Sequence, residues 1–194
     1  MKIKTFYFNP YRECTYVVSQ EGDDEGKCLI VDPGMYGERE EARMEELLVK
    51  EGLHPAAVLI THTHPDHVCG LEYIQKMYAG IPVYGMRFYM PEEAEDESMT
   101  LTESGFRFRV LRTPGHKEDS VCYYFEEEGV LFTGDTLFQE SVGRTDLPGG
   151  DTATLMQSLE KLCRLPEETQ VYPGHGYPTT IGHEKENNPW IIDS

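Results

Sequence analysis

Short apolar, β-branched runs recur along the chain and predict its strands: Ile3–Phe8, Thr15–Val18, Cys28–Val31, Ala57–Ile60, Ile81–Tyr84, Phe106–Leu111, Val121–Phe125 and Val130–Phe132, with a last short one at Thr169–Tyr172. Between them the period lengthens. Glu38–Lys50 is predicted as a helix with Met44, Leu47 and Leu48 on one face. Asp151–Leu162 is predicted as another, because Leu155, Leu159 and Leu162 recur at helical spacing and Asp151 is placed to cap it. A third helix is expected after His67, through Leu71, Ile74 and Met77. No Pro/Ser-rich linker interrupts the series, so residues 1–194 are read as one domain. Strand runs with helices inserted fit two sheets packed face to face and covered by helices.

Composition narrows the classes. A chain of 194 residues, 39% hydrophobic, can bury a real core, and no apolar run approaches the length of a membrane span. Met1–Pro10 carries two lysines with no apolar stretch behind them, so no secretory signal is expected. Five cysteines, scattered and without CxxC spacing, read as buried thiols in a reducing cytoplasm. The formal net charge of −18 argues against nucleic acid or anionic membrane as partners. The acids partly cluster, with five in the six positions Glu92–Glu97 and more in Glu38–Glu46. A solvated loop and an exposed helix face are the expected forms of these two blocks. An acidic protein that admits an anionic substrate needs a local positive centre, which metal ions would supply.

The segment His62-Thr63-His64-Pro65-Asp66-His67 packs three imidazoles and a carboxylate into six residues. These are ligand types that suit zinc and iron. His62 and His64 follow a strand directly, and residues two apart in extended backbone point to the same side. Pro65 keeps His64 extended and suits the first turn of a helix. Asp66 and His67 then fall in that turn and point elsewhere, so one motif can serve two adjacent metals. His116 and His175 each follow Pro-Gly after a β-type run, where the chain turns sharply and leaves room beside the backbone. Asp135 follows Thr133-Gly134 at a strand end and is the best candidate to bridge two ions. Asp32 is read as ordering a loop or a ligand histidine rather than binding metal. Cys69 is expected to be buried, and His54 and His183 to lack partners.

Taken in order, His62-x-His64-x-Asp66-His67, Thr113-Pro114-Gly115-His116, Gly134-Asp135 and Pro173-Gly174-His175-Gly176 resemble the motifs of the metallo-β-lactamase superfamily, beginning with the strand-turn Ile30-Val31-Asp32-Pro33-Gly34. The resemblance implies an α+β fold, a four-layer αββα sandwich with a binuclear site at one edge. By that pattern His62, His64 and His116 hold one divalent metal, Asp66, His67 and His175 hold a second, and Asp135 bridges them. Zinc is the first expectation, with iron or manganese as alternatives. Many class B β-lactamases place Arg where His67 stands and Cys where Asp135 stands, so a true β-lactamase is disfavoured.

Gly134-Asp135-Thr136-Leu137-Phe138, Ser141–Asp146 and Thr180–Glu184 through Asn188-Pro189 resemble hydroxyacylglutathione hydrolase (glyoxalase II)-like proteins of compact bacterial form. That implies hydrolysis of a small-molecule hydroxyacyl thioester by a metal-bridging hydroxide. Asp66 would orient the hydroxide, and Arg144 corresponds to a basic residue that contacts the thiol carrier in relatives. Tyr177, two residues past His175, is close enough to the expected site to touch substrate. The chain as read ends near the last ligand, and Thr145-Asp146 replaces an aromatic pair of those enzymes, so the thiol carrier is left open. The Gly143–Asp146 loop also resembles that of persulfide dioxygenases, which hold a single iron; here His62, His116 and Asp135 would be its ligands. Lactone or phosphodiester hydrolysis and a non-enzymatic metal-holding module are further alternatives. Oligomeric state is not legible.

Overall fold

Alternation within the strands decides the architecture. The computed structural model describes residues 1–22, 25–89 and 98–192. One sheet runs in sequence order through β1 (Lys2–Phe8), β2 (Glu13–Ser19), β3 (Lys27–Val31), β4 (His54–Leu59) and β5 (Val83–Tyr84). The second contains β6 (Ser98–Glu103), β7 (Phe106–Arg112), β8 (Val121–Phe125) and β9 (Val130–Gly134). A small hairpin, β10 (Leu137–Phe138) with β11 (Ser141–Val142), intervenes before β12 (Gln170–Pro173) and β13 (Thr179–Thr180) return to the second sheet. Its order is β13-β12-β9-β8-β7-β6. Most neighbours are antiparallel; β3, β4 and β5 are mutually parallel, as are β9 and β12.

Cys14, Tyr16, Val18, Leu29, Val31, Ala57 and Leu59 of the first sheet face Phe106, Phe108, Val110, Val121, Tyr123, Phe125, Val130 and Phe132 of the second. The intervening residues point the other way. Val17, Cys28, Ile30, Val58 and Ile60 pack on Met44 and Leu48 of α1 (Glu38–Glu51). A short α2 (Pro65–Val68) precedes α3 (Leu71–Met77), whose Leu71 and Ile74 join that layer. Leu111, Cys122, Tyr124 and Leu131 pack on Leu155, Leu159 and Leu162 of α4 (Thr152–Leu162) and Ile181 of α5 (Ile181–Asn187). The order is helix, sheet, sheet, helix, the αββα sandwich. Strands covered on both faces read as unbroken apolar runs, as Val121–Phe125 does.

The predicted elements are present with shifted ends. Asp151 caps α4, its carboxylate accepting from the Thr154 amide at 2.7 Å. Met77, expected inward, is 48% exposed. The strand expected at Ile81–Tyr84 shortens to β5. Strand β6 was not anticipated: Ser-Met-Thr-Leu-Thr-Glu lies at a sheet edge, where few apolar residues are required. The hairpin β10–β11, β13, α5 and α6 (Pro189–Ile192) are too short to show a period. The acid block Glu92–Glu97 lies outside the described residues. Cys14, Cys28 and Cys122 are buried as expected.

The two sheets are stitched together at one edge. Cys14 N–H donates to Gly174 O at 2.8 Å, Val121 N–H to Thr61 O at 2.8 Å, and Tyr16 O–H to Pro173 O at 2.6 Å. The fully buried Tyr123 hydroxyl, on β8, lies 2.8 Å from Ile60 O and 3.0 Å from Tyr84 O, reaching across the core to the end of β4. Tyr84 O also accepts from Ile60 N–H. Tyr123→Phe should therefore leave the ring packed but deprive a buried carbonyl of its donor, costing about 1–3 kcal/mol. A fall in the urea midpoint with unchanged m-value is the expected readout; an unchanged midpoint would show that the cross-core hydroxyl contributes nothing.

Candidate metal centre

At the stitched edge β3, β4, β9 and β12 end, and each delivers a functional group just past its last residue. Asp32 follows β3, His62 and His64 follow β4, Asp135 follows β9 and His175 follows β12. His116 comes from the loop between β7 and β8. His64 is extended, with φ −68° and ψ 145°, before Pro65 opens α2, so Asp66 and His67 turn away from His62 and His64 as the sequence predicts.

Two ligand clusters result. His62 Nε2 lies 3.0 Å from His64 Nδ1, which lies 2.8 Å from His116 Nε2. His175 Nε2 lies 3.3 Å from Asp66 Oδ2, and His67 Nε2 lies 3.8 Å from the same oxygen. Asp135 sits between them, with Oδ1 3.3 Å from His67 Nε2 and Oδ2 3.5 Å from His116 Nε2 and 3.7 Å from His175 Nε2. All seven residues expected to hold metal thus converge.

Hydrogen bonds on the outer ring nitrogens set the tautomers. His116 Nδ1–H donates to Arg144 O at 2.7 Å, and His175 Nδ1–H to Tyr11 O at 3.2 Å. His67 Nδ1–H donates to Asp32 Oδ2 at 2.9 Å. Thr61 Oγ1–H is committed to Asp32 Oδ2, so His62 Nδ1–H must donate to Thr61 Oγ1 at 3.1 Å. The inner nitrogens of His62 and His116 are therefore bare. His64 has one ring proton for both of its short contacts, which leaves a lone pair facing a lone pair. His67 Nε2 and Asp135 Oδ1 are buried with no hydrogen-bond partner. Cations among these atoms remove both conflicts, and the mixed imidazole and carboxylate donors suit divalent transition metals.

The charges agree. Burial works against a charged His67, yet Asp135 and Asp32 outweigh it and hold its pKa well above the usual imidazole range. Burial favours a neutral Asp135, but the surrounding histidines, His67 foremost, hold it far below the carboxylate range. Burial and the neighbouring imidazoles push His62 well down. Asp66 is also held down, because the His175 hydrogen bond and the His67 charge overcome its desolvation. Close backbone approach matters at two glycines. A Cβ on Gly174 would lie 2.3 Å from Asp135 Oδ1, and one on Gly143 would lie 1.9 Å from Asp135 O and 2.9 Å from His116 Nδ1.

The centre opens into a groove of about 460 Å³, lined also by Tyr11, Pro65, Arg144 and Leu147. Arg144 is where a substrate contact was expected, but its guanidinium is forked onto Asp146 at 2.7 Å and 2.7 Å. Its backbone carbonyl, which orients His116, is the contribution the sequence hid. Tyr177 is 71% exposed and is not among the described residues lining the groove. Asp32 does orient a ligand histidine. Cys69, expected to be buried, is exposed at the end of α2, and His183, expected alone, lies 3.0 Å from Glu140 Oε1.

Two acids were missed. Glu13 is fully buried behind Asp32, its Oε2 2.8 Å from Thr15 Oγ1. That hydroxyl accepts from Gly34 N–H and lies 2.6 Å from Asp32 O, a carbonyl that can only accept. Burial pushes the Glu13 pKa well above the carboxylate range, so a neutral acid donates to Thr15. Asp119 is 4% exposed; it accepts from Thr63 Oγ1–H and pairs with Lys117 Nζ at 3.2 Å. Thr63 lies between His62 and His64, and Lys117 follows His116, so Asp119 ties together the two loops that carry the first cluster. A carboxylate three residues past a ligand was a visible signal for it. Glu13 offered none.

Residues 13–175 match the family model of the metallo-beta-lactamase superfamily. The chain belongs to this superfamily. It is 37% identical to the hydroxyacylglutathione hydrolase GloC of Haemophilus influenzae over 87% of this chain and 89% of that protein. Among solved structures it resembles the BLEG-1 B3 metallo-beta-lactamase, with TM-score 0.86 and 34% identity over 98% of this chain and 99% of the other. It resembles TTHA1623 in a di-iron-bound form, with TM-score 0.79 and 34% identity over 96% and 99%. It also resembles ETHE1 from Myxococcus xanthus, with TM-score 0.85 and 28% identity over 100% and 86%. The superfamily confirms the sandwich expected from the motifs and makes the chain a metal-dependent enzyme. Among the described residues no helix is long and apolar enough to cross a membrane.

Asp119→Ala should loosen the first cluster while sparing Asp66, His67 and His175. Chelator titration of the zinc-loaded protein is expected to show one site weakened about tenfold to a hundredfold, the usual cost of losing an outer support, with the other unchanged. Equal weakening of both sites, or of neither, would remove Asp119 from that role.

Proposed function

We propose that this chain is a binuclear metal-dependent hydrolase of a hydroxyacyl thioester. The observation that carries the reading is the second cluster: buried His67 Nε2, without a hydrogen bond, facing Asp135 Oδ1 at 3.3 Å, with Asp66 and His175 alongside. A single ion on His62, His116 and Asp135 leaves that cluster without a purpose. The likeness to a hydroxyacylglutathione hydrolase supports the substrate class.

His62, His64 and His116, with Asp135, would hold one divalent cation, and Asp66, His67 and His175, with Asp135, a second; when bound they would supply Lewis acidity, which lowers the pKa of water from about 15.7 toward about 7 and stabilises oxyanion charge. The chain's own groups do the positioning. Asp66, ionised and half-buried at the groove, accepts a hydrogen bond from the attacking water and fixes its direction. Asp135, clamped between the clusters, keeps them in register. A thiolate leaves readily, so no strong general acid is required beside it. Arg144, the one Lys or Arg among the described groove-lining residues, is placed to draw a substrate carboxylate from Asp146; its exposed ion pair is weak enough to exchange.

Zinc is the first choice, and iron remains compatible because a 34% identical neighbour is di-iron bound. Unpaired thiols favour the cytoplasm. The rival, a mononuclear iron persulfide dioxygenase, draws on the Gly143–Asp146 loop and on Asp135 Oδ2 lying 3.5 Å from His116 Nε2. Zinc-loaded protein should release free thiol from S-D-lactoylglutathione without oxygen, because zinc has no accessible redox change. Oxygen uptake with glutathione persulfide, confined to the iron form and unaccompanied by thiol release from the thioester, would overturn the proposal.

A further inference from the structure

Beside the metal groove, and sharing Tyr11, Pro65 and Asp66 with it, lies a second cleft of about 310 Å³. Pro10, Tyr11, Tyr36 and Cys69 line it as well; the two tyrosines are 73% and 69% exposed. Its polar side chains are already engaged. Asn9 Nδ2 donates to Gly34 O and Asp66 O at 3.0 Å each, and Asn9 Oδ1 accepts from Tyr11 N–H at 3.0 Å. The Cys69 thiol donates to Gly34 O at 3.1 Å. What the cleft offers a ligand is ring and proline surface.

The Tyr11 and Tyr36 segments are both fixed to one carboxylate. Glu40 Oε2, on α1, accepts from Asn9 N–H and from Tyr36 N–H, each at 2.9 Å. Asn9 and Arg12 both hold left-handed backbone, with φ 51° and 57°, so the Tyr11 turn is tightly folded. A cleft held open in this way needs little ordering when it binds. Its lining gives the direction. Arg144 and Leu147, suited to an anionic carrier, line the metal groove and not the cleft, whereas Asp66 lines both.

We propose that the Tyr11–Tyr36 cleft is an acyl-group subsite that takes an apolar, ring-sized substituent next to the scissile carbonyl. The subsite rests on the hydrolase reading for its substrate, but its affinity for a ring can be measured without turnover. Phenylacetate and acetate are the probes, titrated calorimetrically into the metal-loaded protein. The ring should tighten binding at least about tenfold, the scale on which apolar pockets discriminate. Tyr36→Ala should cut that preference below about threefold, and Tyr36→Phe should retain it, both with unchanged metal content. In turnover, Tyr36→Ala should shift kcat/KM selectivity about tenfold from mandeloyl toward lactoyl thioester. Equal affinity for the two acids, undetectable binding of both, or a preference that survives Tyr36→Ala would overturn the subsite. A Tyr36-dependent ring preference in a protein inert to both thioesters would confirm the cleft and reject the hydrolase reading instead.

Discussion

Five imidazoles and two carboxylates drawn to one sheet edge repel one another, and the fold has to hold them there. Inner ring nitrogens of His62, His64 and His116 stand within 3.0 Å and 2.8 Å with too few protons between them, and Asp135 lies among four histidines. Such a cluster is stable only when positive charge sits inside it. Without metal, part of that charge is a proton on His67, held by Asp32 and Asp135. Metal would replace the proton, so metal binding and protonation compete for the same place. The rest of the molecule bears on this point through its outer hydrogen bonds, which decide where each lone pair aims.

Those outer bonds explain why the site lies where it does. Parallel strands that end together present successive side chains at one rim. The cross-sheet bonds of Cys14, Tyr16, Val121 and Tyr123 keep the two rims in register. Strand ends supply His62, His64, Asp135 and His175, the start of α2 supplies Asp66 and His67, and a loop supplies His116. The carbonyls of Tyr11 and Arg144 orient His175 and His116.

The candidate ligands could be singled out in the sequence because their geometry is local. Spacing of two along a strand, a proline at a helix start and glycine beside the ligand each carry directional information in one short segment. The layers were legible for a similar reason, since covered strands such as Val121–Phe125 are apolar throughout. Orientation by a backbone carbonyl leaves no trace in residue identity, which hid the part played by Arg144 and Tyr11. Glu13 was invisible because its environment joins its own strand, through Thr15, to the Asp32–Gly34 turn after β3. Cys69 was misjudged because a cysteine near buried histidines suggests burial, whereas the end of α2 faces a cleft whose walls lie elsewhere in the chain. Edge strand β6 escaped because its partner is needed on one side only.

The neutral state of Glu13 bears on how a protein of net charge −18 accepts an anionic reaction centre. In the proposed centre two divalent cations would bring +4 against −3 from Asp32, Asp66 and Asp135, and a bound hydroxide would bring the sum to zero. An ionised Glu13 behind Asp32 would make that sum negative and oppose a developing oxyanion. Without metal, burial, together with a Thr15 hydroxyl already committed to Asp32 O, favours the neutral form of Glu13. The same low-dielectric surroundings would strengthen the pull of the proposed cations on a substrate carbonyl. The acidic exterior, screened over about 8 Å at physiological salt, therefore governs long-range approach less than this short-range balance governs reaction.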